Sequence, residues 1–566
     1  MDESARRTRV EWHEWGRDPF EIAARDEEPL LLSLSATWCD SCHEMDRATY
    51  DDPRIAANVN DRFVPVRVDV DRHPRARERY NAGSFPSTTF VTPSGTILAS
   101  AGYLDSDAMG GVLDRVRETW NTEGEAAGRV PRGLRDEEPP RGELTPTIEA
   151  TIAGRLEATY DPEYGGWGTD AKFPLPEAVE FALKRDREAA IRTLSGIRTG
   201  LFDDYEGGFF RLATTRSWER PRREKLLDSN AALLRAFANG YLYTGDEGFR
   251  DVADRTIGYL TTTLWTGAGF AGSQAPSEAG SATERESEGE PLIDSTVFAD
   301  RNALAAEALL TYHAYTDDER AARYAERALD ALAELQDGDA LVHYRDGSET
   351  GDGSEIGTRG LLSDHARAVE ALTTAAGVLG DDGYVDRART LAEFVLDARR
   401  EDGLFLDGPS DGPGMAGRPL RPLDDTVVMA DALIDLTVLT GEERYRDAAH
   451  EALSAFAGAA DRFGPPVARY GSVVSRLLDG PLTIEVSASV GSDLHRAALR
   501  VADHEKVVIV EGAKQREEEP IDDGELTKED TTEETAYVRN QDIEAGPATT
   551  PDELSDAVAT VVEASE

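Results

Sequence analysis

The sequence predicts an α/β unit over residues 1–125, a linker over 126–143, an all-α ring over 144–480 and a small α/β appendage over 481–566. Three observations support this division. Strand-like and helix-like runs alternate in the first stretch. Apolar residues recur at three- and four-residue spacing in the long middle, and short β-branched runs return after Gly480. At 566 residues the chain is also too long for one hydrophobic core.

In the first unit a helix over 19–26 leads into Pro29-Leu-Leu-Leu-Ser-Leu-Ser35, a buried strand. Ala36-Thr-Trp-Cys39-Asp-Ser-Cys42-His-Glu-Met45 follows and opens a helix that runs to residue 59. A second strand is expected over 62–69 and a helix over 75–81. A hairpin over 88–92 and 96–101 turns at Pro93-Ser-Gly95, and an amphipathic helix spans 105–120. This order, with Cys-x-x-Cys between the first strand and its helix, is that of a thioredoxin-like core.

Gly128, Pro131, Gly133, Pro139, Pro140 and Gly142 break periodicity in the linker. Beyond it, helices are expected near 145–159, 176–185, 187–203, 227–244, 246–264, 295–315, 319–335, 361–379, 382–399, 424–439, 442–459 and 465–478. Four junctions repeat: Thr244-Gly-Asp-Glu-Gly-Phe249, Thr316-Asp-Asp-Glu-Arg320, Leu379-Gly-Asp-Asp-Gly-Tyr384 and Thr440-Gly-Glu-Glu-Arg-Tyr445. Each stops a helix at Gly or Asp and starts the next with acids that suit its positive end. Gly–aromatic loops repeat at Gly165-Gly-Trp-Gly168, Gly207-Gly-Phe-Phe210, Gly267-Ala-Gly-Phe270 and Gly403-Leu-Phe405. Together these predict a closed (α/α)6 toroid, with a generic helical bundle as the alternative. In the appendage, strands over 482–490 and 506–510 flank a helix over 494–502. The acidic stretch Glu517–Glu534 reads as mobile, and Thr550-Pro-Asp-Glu553 caps a last helix.

Asp and Glu number 110 against 61 Lys and Arg, a formal net charge of −49. Such a field repels nucleic acid. The acid is spread over every segment, and the only lysines are Lys172, Lys184, Lys225, Lys506, Lys514 and Lys528. This reads as adaptation to high salt, where a Debye length of about 3 Å screens surface carboxylates from one another. No stretch has the ~20 apolar residues needed to span a bilayer, and the charged N-terminus has no signal-peptide core, so a cytoplasmic location is expected.

The two cysteines are the strongest chemical signal. At a helix N-terminus, free backbone N–H groups and the helix dipole favour a thiolate at Cys39. That thiolate attacks a disulfide and Cys42 resolves the mixed species. Trp38 shields one side, and Pro86, ahead of a strand, is the candidate for the cis proline beside the dithiol. A zinc site would have to recruit His43 and His73, and an inert cysteine pair is the other alternative. Ser33 stands where thioredoxin carries a buried Asp that moves protons, which argues against strong general reductase activity. No cofactor and no metal are expected.

These features together resemble the spermatogenesis-associated protein 20-like family, in a halophilic version, over essentially the whole chain. The resemblance rests on Trp38-Cys-Asp-Ser-Cys-His43, Asn60 through Phe63 and Val66-Arg-Val-Asp69 in the first unit. In the ring it rests on Asp161-Pro-Glu-Tyr-Gly-Gly-Trp-Gly168, Lys172-Phe-Pro174, Gly207-Gly-Phe-Phe-Arg211, Trp218-Glu-Arg-Pro221, Glu224-Lys225 and Asn230-Ala231. Gly480-Pro-Leu-Thr-Ile-Glu485 and Pro551-Asp-Glu-Leu554 complete it. It implies a thioredoxin-like domain fused to a six-hairpin glycosidase-like toroid. Two places depart from the family pattern. Pro-His-Phe-Glu-Lys-Met-Leu-Tyr-Asp-Asn reads here Pro221-Arg-Arg-Glu-Lys-Leu-Leu-Asp-Ser-Asn230, and an acidic loop reads Gln274-Ala-Pro-Ser-Glu278.

A ring of this kind binds ligands in a funnel at one end. Trp167, Phe209, Phe210, Trp218 and Phe270 are candidates to stack on a sugar. Asp170, Lys172, Glu224, Lys225, Asn230, Asp300, Asp364, Asp424 and Asp425 are candidates for polar contacts. Of His313, His343, His365 and His450 only His365, beside Asp364 at a helix start, is placed for a base, and a core or capping role is the stronger reading of it. Three functions follow: a thiol–disulfide redox protein whose ring holds a small, carbohydrate-like ligand or a disulfide-bearing partner, a carbohydrate-active enzyme with a regulatory thioredoxin module, or a non-catalytic scaffold. The intact dithiol favours the first.

Overall fold

The first unit builds a five-stranded sheet from β1 (His13–Glu14), β2 (Leu30–Ser35), β3 (Val64–Asp69), β4 (Ser87–Val91) and β5 (Ile97–Ala101), in the order β1-β3-β2-β4-β5. The computed structural model describes residues 8–135, 138–277, 291–346, 357–510, 534–541 and 543–565. β1, β3 and β2 run parallel; β4 is antiparallel to β2 and β5. Helices α1 (Arg17–Asp26), α2 (Asp40–Met45, continued by a wider turn over Asp46–Tyr50), α3 (Pro53–Arg62), α4 (Pro74–Tyr80) and α5 (Ser106–Glu123) complete a thioredoxin-like fold. Alternation of side chains along β2 explains its two cores. Leu30, Leu32 and Leu34 face one side with Trp38 and both cysteines, while Leu31 faces Met45, Tyr50 and Phe90. β1 lies outside the expected elements; two residues carry no periodic signal.

The stretch over 126–143 continues the first unit's packing. Ile97 and Arg129 exchange backbone hydrogen bonds, and Leu134 is buried in the core that holds the dithiol.

Among the described residues twelve helices form the ring: α6 (Thr147–Thr159), α7 (Pro176–Arg185), α8 (Arg187–Leu201), α9 (Leu227–Thr244), α10 (Glu247–Tyr259), α11 (Ala299–Thr316), α12 (Glu319–Glu334), α13 (Leu362–Leu379), α14 (Asp382–Ala398), α15 (Leu423–Thr440), α16 (Glu443–Ser454) and α17 (Arg469–Asp479). α7, α9, α11, α13, α15 and α17 form the inner layer, and α17 packs on both α6 and α7, closing the (α/α)6 toroid. The repeated junctions have a local cause. Gly245, Asp317, Gly380 and Gly441 end their helices in the left-handed region, and Asp246, Asp318 and Asp381 then cap the next helix through a side-chain oxygen. The Gly–aromatic loops turn where a side chain has no room. At Gly208, φ is +73° and a Cβ would lie 2.5 Å from the Tyr259 ring.

The appendage is a four-stranded sheet of β6 (Thr483–Ser487), β7 (Val507–Val510), β8 (Thr535–Arg539) and β9 (Glu544–Ala548), in the order β7-β6-β8-β9, with α18 (Asp493–Leu499) and α19 (Pro551–Ser565). It closes the end of the ring where the inner helices finish. His495 Nε2 hydrogen-bonds Gly377 O at 3.0 Å, and Arg496 and Arg500 pair with Asp317. The expected acidic segment 517–534 falls, except for Glu534, outside the described residues. No helix among the described residues is long and apolar enough to cross a membrane.

The thioredoxin-like unit closes the opposite end, where inner helices begin. Arg75 and Arg79 both pair with Asp407, at 3.0 and 2.8 Å. The Met415 N–H donates to the Tyr80 hydroxyl at 2.8 Å, and Arg72 donates to the Thr296 hydroxyl at 3.0 Å.

Candidate functional site

Cys39 caps α2 from an extended conformation, and the Cys42 N–H donates to its sulfur at 3.2 Å. The two cysteines are joined in a disulfide and are 5% and 3% exposed. Access to sulfur is therefore narrow. Pro86, cis to Phe85, is buried just before β4, and Phe85 meets the Trp38 ring edge-on at 5.9 Å.

Trp38 is held from the ring side. The Arg211 guanidinium lies 4.6 Å over its ring and is itself paired with Glu224 at 3.2 Å. The indole N–H of Trp38 donates to Asp71 Oδ2 at 2.8 Å, and Arg301 of α11 pairs with Asp71 Oδ1 at 2.6 Å. Burial alone would raise the Asp71 carboxyl, but Arg301 and the indole N–H outweigh it and hold it low. Asp71, Arg211 and Arg301 are absent from the sequence-derived site. Their roles depend on a contact between two units, which no local pattern encodes.

Beneath α2, Ser33 is buried opposite Arg67 in the β2–β3 register. Arg67 forms a bidentate pair with Asp46 at 2.7 and 2.6 Å, and the Tyr50 hydroxyl lies 3.3 Å from that of Thr88. The carboxylate on this side of the sheet thus comes from the wider turn that continues α2, not from the strand.

The ring residues singled out from sequence have mainly internal partners. Lys172 is 0% exposed, paired with Asp161 at 3.0 Å and bonded to Gly165 O at 2.9 Å. Lys225 is likewise buried between Asp203 at 2.8 Å and Glu206 at 3.0 Å. Trp167, Phe209 and Phe270 belong to the core, Phe210 lies buried beneath Lys225, and Trp218 fills the space over Gly166, Gly196 and Gly200. None of these stacks toward open space. Asp170 is exposed on a surface turn, and Gln274 is buried and accepts the Tyr259 hydroxyl at 2.7 Å. Glu278 falls outside the described residues.

Asn230 and His365 share one structural job. Asn230, Asn302 and His365 stand near the starts of successive inner helices, and each bonds the carbonyl four residues back: Leu226, Phe298 and Leu361. Asn230 and Asn302 also accept the N–H of Phe209 and Phe270, and His365 accepts that of Leu341. These side chains clip the loops to the helices. Burial holds His365 down at about 4, so it is a neutral acceptor.

Asp300, Asp364, Asp424 and Asp425 do gather at the end of the ring facing the thioredoxin-like unit, each in the first turn of its helix. Burial and the neighbouring Asp424 push Asp425 well above the usual carboxylate range. His343 joins this group, with Nδ1 2.8 Å from Asp364 Oδ1 and Nε2 2.9 Å from the Asp71 carbonyl. Burial alone would depress it, but Asp364, with Asp300 behind, pushes it up to about 9. Both ring nitrogens therefore donate.

At mid-height the axis holds a charged layer. Arg235, Glu307, Glu370 and Asp431 each stand eight residues after the start of their helix. Arg235 pairs with Glu180 at 2.9 Å and Glu307 at 2.7 Å; Arg469 pairs with Glu370 and Asp431; Arg476 pairs with Asp431 and Asp435. Arg367 adds pairs to Glu177 and Glu370. Six carboxyls thus face four guanidiniums, an excess of negative charge that disfavours ionising all six. Burial and Glu370 push Glu307 up to about 7, and burial and Asp431 push Asp435 to about 6. Arg469, Arg367 and Arg235 hold Glu370 at about 2 against its burial. Between this layer and His504–Val508 lies a cavity of about 170 Å³. None of the ring candidates named from sequence lines it.

A family model described as Thioredox_DsbH, "Protein of unknown function, DUF255", matches residues 3–134. Human spermatogenesis-associated protein 20 is 30% identical over 292 residues, 45% of this chain and 37% of that protein, so the match spans little more than a third of the relative's length. An uncharacterized protein of Caenorhabditis elegans is 23% identical over 518 residues, 77% of this chain and 70% of its own. Among solved structures, a sugar epimerase from a ruminal bacterium covers 54% of this chain and 84% of its own, at 16% identity and a TM-score of 0.43.

Proposed function

We propose that this chain, which is similar to spermatogenesis-associated protein 20 over 45% of its length, is a thiol–disulfide oxidoreductase whose dithiol works at the seam between its two large units. One observation supports this most: the N-terminus of α2 donates to Cys39 sulfur, while Asp71 and Arg211 hold the adjacent Trp38 against the ring. A helix tip that donates to sulfur stabilises the thiolate left when the disulfide is reduced. In the reductive direction, Cys39 thiolate attacks a substrate disulfide, expelling one substrate thiolate. Cys42, deprotonated, then attacks the mixed disulfide, releasing the second substrate thiol and restoring Cys39–Cys42.

The narrow access favours a small or extended disulfide substrate over a rigid protein surface. The test is trapping. Cys42→Ser should accumulate a mixed disulfide on Cys39 with a disulfide peptide, and Cys39→Ser should not. Equal labelling of both variants, or of neither, contradicts the proposal.

A second reading concerns the ring. The axial cavity, lined by carboxyls and guanidiniums, has the polarity to hold a small polyhydroxylated molecule such as a sugar. A rise in melting temperature with mono- or disaccharides, lost in Asn239→Leu at the cavity wall, would support it; no shift with any sugar counts against it.

A further inference from the structure

We infer that Asp300, His343 and Asp364 form a binding site for a first-row divalent cation, at the end of the ring that the thioredoxin-like unit covers. One ligand atom from each lies within 4.8 Å of the others. The three come from rigid, separate supports: the first turn of α11, the backbone-bonded loop around His343, and the first turn of α13. Cations bound by such preset groups need little rearrangement of the chain.

Two further observations point to a ligand. The fully buried Asp364 has an oxygen, Oδ2, without a hydrogen-bond partner, which is unusual for a buried carboxylate. His343 also donates its Nε2 proton to the Asp71 carbonyl at 2.9 Å. That outer bond fixes the ring and leaves Nδ1 to face Asp364, the arrangement that orients histidine ligands in metal sites. A cation taking Nδ1 replaces the proton shared with Asp364, and that proton leaves to solvent.

The surroundings favour positive charge. Asp228 and Asp424 stand in the first turns of neighbouring inner helices, whereas Arg301 is committed to Asp71. Arg72, His73 and Arg77 are the nearby basic groups of the thioredoxin-like unit, and burial holds His73 down at about 4. Asp300, half-buried, is the side open to an entering ion. One imidazole and two carboxylates suit Mn²⁺, Fe²⁺ or Zn²⁺, and offer too few oxygens for Ca²⁺. The site is independent of the redox reading.

The experiment is calorimetric titration of the full-length chain with MnCl₂ and with ZnCl₂ in molar KCl, which suppresses loose binding to surface acids. The expected result is one ion per chain, bound at least roughly tenfold more weakly by Asp300→Asn and by His343→Gln. Circular dichroism checks that each variant folds, and the half-buried Asp300 decides the matter if His343→Gln does not. No saturable binding to the wild-type chain, or equal affinity in Asp300→Asn, overturns the inference.

Discussion

Asp71 of the thioredoxin-like unit and Arg301 of the ring are paired at 2.6 Å, both buried, and the other oxygen of Asp71 takes the indole N–H of Trp38, the residue before Cys39. One carboxylate thus joins the docking of two units to the wall of the dithiol. Asp71→Asn leaves Arg301 buried without its anion. Removing one partner of such a pair costs about 3–5 kcal/mol. Urea denaturation should show that loss, and Cys39 in the reduced variant should alkylate faster as Trp38 loosens. Unchanged stability and unchanged alkylation would mean the pair holds nothing.

Lys225 gives a contrasting expectation. It is buried against Asp203 and Glu206 and touches no open site. Lys225→Met should destabilise the chain by about 3–5 kcal/mol, through the stranded Asp203, while leaving disulfide reduction per folded molecule intact. A stable variant with lost activity would instead assign Lys225 to a substrate.

The axial layer makes a pH prediction. Glu307 at about 7 and Asp435 at about 6 hold protons in the folded chain that the unfolded chain releases near pH 4. The folded state therefore binds more protons between these values. Stability from this layer is full in acid and is lost as pH rises through 6 to 7. Thermal melts from pH 5 to 8 should show wild type losing stability relative to Glu307→Gln by an amount of order 1–3 kcal/mol. Parallel profiles would show that Glu307 is ionised throughout.

The charge of −49 predicts the response to salt. Surface carboxylates repel at low ionic strength, where the Debye length grows to about 30 Å. The melting temperature should climb steadily with KCl into the molar range. A flat or falling curve contradicts salt adaptation.

The parts of the fold that were legible in the sequence have local causes. The junctions at Gly245, Asp317, Gly380 and Gly441 announce a helix stop and a new cap within a few residues, and the inner helices follow from them. The Cys39 motif is legible for the same reason: strand, turn and helix tip are contiguous. The charged layer is not. Arg235 and Glu307 each look like one polar residue inside an apolar helix, and their meaning appears only when the ring closes and sets them at one height. Asn230, Lys172 and His365 carry polar groups at motif positions, which reads as ligand chemistry; Asn230 and His365 instead tie loops to helices, and Lys172 ties one loop segment to another. The Asp71–Arg301 contact, whose partners are 230 positions apart, has no sequence signature.

The central claim is that the tip of α2 makes Cys39 an attacking anion. The most direct measurement is the pH dependence of iodoacetamide alkylation of Cys39 in the Cys42→Ser chain, full-length and in high salt. The account predicts a midpoint at least one unit below the ordinary thiol value of about 8.5. A midpoint at that ordinary value, or a thiol that does not react at any pH at which the chain stays folded, contradicts it.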